Sequence, residues 1–465
     1  KTYDYGETWE LITSGIREGD FARTIREDPE RQGLLYAGTE TGLYVSWDDG
    51  LTWHAFPGAP LAEGVAGDRP QLPVVPIHDL IIKDDDLVVA THGRSFYILD
   101  DLTALRQMAR TANDATSDPV VLFEQRPKLR WKVNEGFGGS AVPGYVAYKG
   151  LNSSDIGFTE TKLPDGTVKK EYPDSADNPP EGVVVTYFLK DKTKDEIELS
   201  FLDSKNNVVR TFKSKVEAEQ SGAATETTEG REGGSTPGDA DDKSEQKIPA
   251  NAGVNRFTWD MRHEPARTIE GQELDPWEKP LGPTVLPGKY TVQLKVGDAT
   301  FTQPLEVLKD ERIDVSAKDL QAQFDLLLKI RDRLSDTGQA VSRVRSIRSQ
   351  VEDWEKRLKD ADNADAVKAA GKAVKDELTA IETELVDTTT KSPLMSPSRL
   401  FEKLNALTEF VDSADAPPAK QAVEVFNELS GKLDAQLAKL DATIKTQVKA
   451  FNDAVTAANV SPVSG

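Results

Sequence analysis

The sequence predicts a multidomain chain of β plus α class: a partial β-propeller, then a β-sandwich, then an antiparallel helical bundle. Three observations carry this expectation. A turn-forming octapeptide occurs twice near the start, offset by 44 residues, close to the roughly 40 to 50 residues of a four-stranded propeller blade. The middle of the chain alternates apolar and polar residues over strand lengths. From about residue 314 the apolar residues recur at helical spacing. The expected boundaries are blades over 1–106, a connector over 107–144, a sandwich over 145–312 and a bundle over 313–465.

Composition narrows the function classes. A chain of 465 residues is long enough for several domains, each with its own core. No apolar run approaches the roughly 18 residues that span a bilayer. The net charge of −22 argues against nucleic acid and against anionic membrane surfaces, because both need a basic face. There is no cysteine, which excludes disulfides, thiolate metal sites and cysteine nucleophiles but leaves the compartment open. The chain opens "KTYDYGETW", with neither an initiator Met nor an apolar leader, and this start suggests a fragment or a processed chain.

The repeated octapeptide is "TYDYGETW" (Thr2 to Trp9) and "SWDDGLTW" (Ser46 to Trp53). Thr2 matches Ser46, Asp4 matches Asp48, Gly6 matches Gly50, Thr8 matches Thr52 and Trp9 matches Trp53. An Asp at the start of a tight turn accepts bonds from the amides ahead of it. The Gly permits positive φ at the corner. The Thr starts the next strand, and the Trp buries a large surface against a neighbouring sheet. These residues resemble the Asp box of the bacterial neuraminidase repeat, found in sialidases, sortilin-type receptors and two-propeller xyloglucanases. In those families the box lies on a strand-to-strand turn away from the active centre, which implies a structural staple and no metal.

The neighbouring stretches "LLYAGTETGLYVSWDDGLTWHAF" and "VVPIHDLIIKDDDLVVATHGRSFYILDDL" read as strands split by turns. Residues 1–106 therefore hold the end of one blade, a full blade and most of a last one. A propeller needs about four blades to close. The absent blades are expected before Lys1, on the same precursor or on another chain.

Residues 107–144 read as a connector with one or two strands, Val120 to Phe123 being the clearest. "GVVVTYFLK", "EIELSFLDSKNNVVRTF", "GVNRFTWDMR" and "GKYTVQLKVGDATFTQPLEVL" then alternate as strands. The closing hairpin resembles the last hairpin of small immunoglobulin-like sandwiches, such as that of the flagellar hook-capping protein, and implies a spacer or docking module. Within this region 216–247 is acidic and lacks aromatics. It is expected to be an exposed insertion, since it cannot bury enough surface to offset its ordering entropy. Asp239, Asp241 and Asp242 lack the spacing of a calcium loop.

Ser316 with Asp319 three residues on marks a helix start. Leu320, Phe324, Leu327 and Leu334 share a face, continued by Val341, Val344, Ile347, Val351, Trp354 and Leu358. Val367 to Leu385, Leu400 to Val411 and Phe426 to Val455 give three more stripes. Four or five helices follow, in an antiparallel bundle.

Chemistry is scarce. Of the four histidines (His54, His78, His92, His263) none is at metal-ligand spacing in the sequence, and no phosphate loop, dinucleotide motif or nucleophile elbow occurs. His54 is expected beside Trp53. His92 and Arg94, in "THGRSFYILDD", are the candidate ligand or turn residues, Arg94 bonding a carboxylate or carbonyl. No catalytic, cofactor-binding or metal-ligating set is expected, and no cofactor.

The order of Asp-box blades, "THGRSFYILDD", a sandwich with "PGKYTVQL" and then "PPAKQAVEVFNELSGKLDAQLAKLD" is similar to the C-terminal half of a family of large bacterial proteins. These are described as sortilin-like, Asp-box repeat or glycosyl hydrolase. The resemblance implies export to the periplasm, the cell surface or the medium. It implies a non-catalytic binding or assembly region whose partners are upstream blades, a protein or glycan ligand, or further copies. The alternatives are a sialidase- or xyloglucanase-like glycoside hydrolase with its active centre on the absent blades, and a structural subunit of a surface layer or large complex.

Overall fold

The computed structural model describes residues 1–56, 72–111, 118–131, 147–151, 154–162, 168–171, 180–193, 195–214, 247–267, 269, 280–358, 364–388 and 398–457. The chain is mixed β and α, in two units. One holds Lys1–Leu129, Val133–Asp260 and Gly288–Leu308; the other holds Arg130–Lys132, Met261–Pro287 and Lys309–Gly465.

In the first unit β1 (Ala22–Glu27), β2 (Leu35–Thr39), β3 (Leu43–Ser46) and β4 (His54–Ala55) form an antiparallel meander in chain order. A second meander joins β5 (Ile77–Lys83), β6 (Asp86–Thr91) and β7 (Phe96–Leu99). Asp84 and Asp85 both take positive φ, the requirement of the two-residue hairpin that pairs Lys83 with Asp86. The two sheets share a core, in which Leu34, Tyr36, Leu43 and Val45 meet Ile77, Leu80, Leu87 and Val89. Gly38 sits where the two sheets approach tightly: a Cβ there would lie 2.5 Å from Ile77 Cγ2.

Helix α1 (Thr103–Thr111) follows, where the sequence suggests only the start of a connector. The Asp101 carboxylate accepts from the Thr103 amide at 3.0 Å, satisfying one of the first-turn donors. Leu102 and Leu105 join the core of the two sheets.

The connector also supplies β8 (Val120–Leu122) and β9 (Lys128–Arg130). Next come β10 (Ala147–Leu151), β11 (Ser154–Lys162) and β12 (Val168–Glu171), an antiparallel three-stranded sheet. They are followed by β13 (Val183–Leu189), β14 (Ile197–Leu202), β15 (Val208–Lys213), β16 (Gly253–Trp259), β17 (Gly288–Val296) and β18 (Ala299–Lys309). These make one sheet of order β16-β13-β8 and another of order β15-β14-β17-β18-β9. Aromatic rings from both sheets meet: Trp259 stacks on Phe201 at 3.9 Å, and Phe257 lies 4.7 Å from Phe212. Of the acidic insertion expected over 216–247, all but Lys247 lies outside the described residues.

The second unit is helical. Ser316 caps α2 (Ala317–Arg357) by accepting from the Asp319 amide at 3.1 Å. The helix runs unbroken for 41 residues. It is followed by α3 (Ala364–Leu385), α4 (Leu400–Val411) and α5 (Lys420–Thr443), which passes through a π-helical turn, Ile444–Val448, into α6 (Lys449–Ala457). The apolar stripes of these helices form one core, with Ile330, Val341, Val344, Val374, Leu378, Ile381 and Leu433 at its centre. Gln323 donates to the carbonyls of Val411 and Ala414 at 2.6 Å each, satisfying acceptors that the end of α4 leaves open. Arg345 and Arg348 bond the buried Glu382 at 2.7 and 2.6 Å.

Candidate functional site

The two octapeptides fold alike. In the first, the Thr2 hydroxyl donates to Asp4 Oδ1 at 2.7 Å and accepts from the Gly6 amide at 2.8 Å. Asp4 accepts from the Thr8 amide at 2.9 Å and from the Thr8 hydroxyl at 2.6 Å. In the second, Ser46 gives the same two bonds at 2.8 and 2.9 Å, and Asp48 accepts from the Thr52 amide and hydroxyl at 2.9 and 2.5 Å. Tyr5 and Gly6, like Asp49 and Gly50, take positive φ, so the corner uses two left-handed residues where the sequence suggests one.

These bonds stabilise the ionised carboxylates. The Thr8 hydroxyl, the Thr8 amide and the Thr2 hydroxyl hold Asp4 well below the usual carboxylate range. Burial raises Asp48, but the bonds from Thr52 and Ser46 outweigh it and lower the group. Both oxygens of each carboxylate are thus engaged by the turn itself.

The strand pairing around the octapeptides also repeats. Val45 pairs with His54 across the second turn. Lys1 and Glu10, 44 residues earlier, exchange two backbone bonds of 2.6 and 2.7 Å. Residues 1–11 therefore have the form of a β3–β4 turn, with its last rung, set outside the first sheet.

The two tryptophans differ in cover. Trp53 is 4 % exposed; its ring donates to the Ile12 carbonyl and its amide to the Ser14 carbonyl, both at 2.8 Å. Trp9 is 74 % exposed and, among the described residues, its ring bonds only back to Gly6, at 3.2 Å. Between them runs a groove of ≈470 Å³, lined chiefly by Trp9, Leu11, Ile12, Ile16, Ile25 and Trp53. Among the described residues that line it, Glu10 alone bears a carboxylate. Glycoside hydrolysis needs two facing carboxylates.

The far face of the second sheet carries an apolar patch, flanked by the exposed charges of Asp79 and Lys83. Ile81, Val88 and Ile98 lie in register across β5, β6 and β7, with Ala90 opposite Phe96. Ile81, Phe96 and Ile98 are 55, 70 and 59 % exposed. The comparable side chains of the first sheet, Tyr36, Leu43 and Val45, are buried under the second.

A buried ionic cluster, not foreseen from the sequence, ties the two sheets to α1. Arg106 Nε lies 3.0 Å from both oxygens of Asp28, and its Nη1 bonds Glu30 at 2.9 Å and also Asp85. Arg126 bonds Asp86 at 3.0 Å. Asp85 and Asp86 of the "DDD" turn thereby each gain an arginine partner. Burial, with the Asp28 charge beside it, pushes the Tyr36 phenol up.

His92 and Arg94 sit at the β6–β7 turn, where Gly93 and Ser95 take positive φ. Arg94 is exposed and forms no ion pair among the described residues. His54 lies 5.5 Å from Trp47, not beside Trp53, because neighbouring residues leave a strand on opposite sides. No group of three or more His, Asp or Glu able to hold a metal occurs among the described residues, and none of the described helices is long and apolar enough to cross a membrane. No protein-family model matches the chain, and no curated protein matches it significantly.

Proposed function

We propose that residues 1–106 are a sector of a larger Asp-box β-propeller, and that the chain is a binding and assembly region without its own catalytic centre. One observation carries this reading. The two packed meanders leave large apolar side chains exposed at each end, Trp9 and Ile25 on one side and Ile81, Phe96 and Ile98 on the other. A finished two-sheet domain would turn polar residues outward on both sides. The repeated rung at Lys1–Glu10 gives the missing cover a chemistry: another β-sheet ending in the same turn.

We read the aromatic-cored sheets as an immunoglobulin-like sandwich and the four packed helices as an antiparallel bundle. Both then act as spacer and contact modules. The family resemblance adds export to this reading. The hydrolase alternative places its carboxylates on other blades; among the described residues lining this groove Glu10 alone bears one.

Hydroxyl-radical footprinting tests the proposal. In material isolated in its native assembly, Trp9, Phe96 and Ile98 should be protected, whereas in the isolated 465-residue chain they should oxidise readily. Equal oxidation in both preparations would overturn it.

A further inference from the structure

Two of the four histidines, His78 and His92, meet although 14 positions separate them. Pairing of β5 with β6 sets Ile77 opposite Thr91, and the register shifts at His78 before Asp79 resumes opposite Ala90. His92 follows at the end of the same hairpin, its amide donating to the Pro76 carbonyl at 2.9 Å. The backbone thus brings the two residues side by side, and their rings lie with centroids 4.9 Å apart and planes tilted by 47°. Both residues are exposed, so their contact removes little surface from water and ions in solution reach them.

That separation has a coordination meaning. An ion held at about 2.0–2.1 Å by an imidazole nitrogen lies about 3.2 Å from the ring centroid. Two rings 4.9 Å apart then subtend about 100° at a shared ion, between the octahedral and tetrahedral angles. His54 and His263 instead lie against aromatic rings, Trp47 and Phe324. The chain has no cysteine, so no thiolate competes for the same class of ion.

We propose that His78 and His92 form a two-imidazole site for a divalent late transition ion of the zinc or copper class. The remaining coordination positions are open to water or to a donor on a bound partner. Imidazole suits these ions, whereas the chain's many carboxylates favour harder ones.

Copper(II) added to the whole chain, followed by calorimetry and electron paramagnetic resonance, tests the site. One equivalent should bind with nitrogen hyperfine structure from two imidazoles, and copper should displace zinc bound beforehand, following the usual affinity order. His78→Ala and His92→Ala should each weaken binding at least about tenfold, with His54→Ala unchanged. Circular dichroism checks that each variant is folded, and His78→Gln and His92→Gln replace any that is not. A spectrum of oxygen ligands only, or an affinity that survives either substitution, overturns the site.

Discussion

Arg106 and Asp28 face each other through a two-pronged contact, Nε lying 3.0 Å from each carboxylate oxygen. The Asp28 side chain is fully buried and that of Arg106 nearly so. Asp28 also accepts from the amides of Glu30 and Arg31 at 2.9 and 3.0 Å. Removing the guanidinium leaves a buried charge with too few donors. Arg106→Ala is therefore expected to cost about 3–5 kcal/mol, read as a lower urea midpoint. Arg106→Lys should recover only part of this, because an ammonium cannot reproduce the paired geometry.

The two tryptophans make a sharper contrast, since their turns are alike. Trp53→Ala should cost about 3–5 kcal/mol in the isolated chain, because the ring is covered by Ile12 and Ile16. Trp9→Ala should change stability by no more than about 0.5 kcal/mol there, while weakening any assembly that covers the groove. Equal costs in chemical denaturation would mean that Trp9 is already covered.

Gly38 tests the contact between the two meanders. Alanine there would push against Ile77 Cγ2 and against Thr24 Cγ2, 2.5 and 2.8 Å from its Cβ. The expected loss is about 1–3 kcal/mol. Pairing the change with Ile77→Val should recover part of it, because the nearest obstacle is the Ile77 side chain.

Acid should expose the carboxylates that depend on their donors. The Arg312 guanidinium and amide hold Asp310 at about 2 against its ordinary 3.8. A folded value below the unfolded one means that the group stabilises fully above the ordinary value. The contribution fades as pH falls from 3.8 towards about 2. Asp310→Asn should thus lower the melting temperature of the helical unit at pH 6, and the gap from the parent should shrink progressively below pH 4. Asp48→Asn should act in the same direction on the first sheet, because Asp48 is lowered too.

The parts visible in the sequence are those whose physics is local. The side-chain bonds of Thr2 and Asp4, and of Ser46 and Asp48, close within their own octapeptides, so the motif alone defines the turn. The stripes of α2, α3 and α4 follow their spacing for the same reason, and Ser316 marks the start of α2 by bonding within its own turn. Helix α1 escapes notice because nine residues with polar Arg106 and Gln107 give few apolar repeats. The Arg106 cluster draws Asp28, Glu30 and Asp85 from distant segments, and no spacing rule links them. His78 and His92 become neighbours only once the β5–β6 register, with its irregularity, is known. The contrast between Trp9 and Trp53 is likewise invisible, because it depends on what covers each ring and not on the octapeptide.

The Asp48 clasp also bears on the order in which the chain folds. The bonds that join Ser46, Asp48, Gly50 and Thr52 are made by atoms of one short loop. Its closure entropy is small, and it can form in the microsecond range typical of hairpins. The antiparallel register of β3 against β4 is then fixed before the slower search that brings β5 onto β1. A latch that sets itself early narrows the mispairings open to the remaining strands, which is a kinetic service independent of whatever finally covers the sheet.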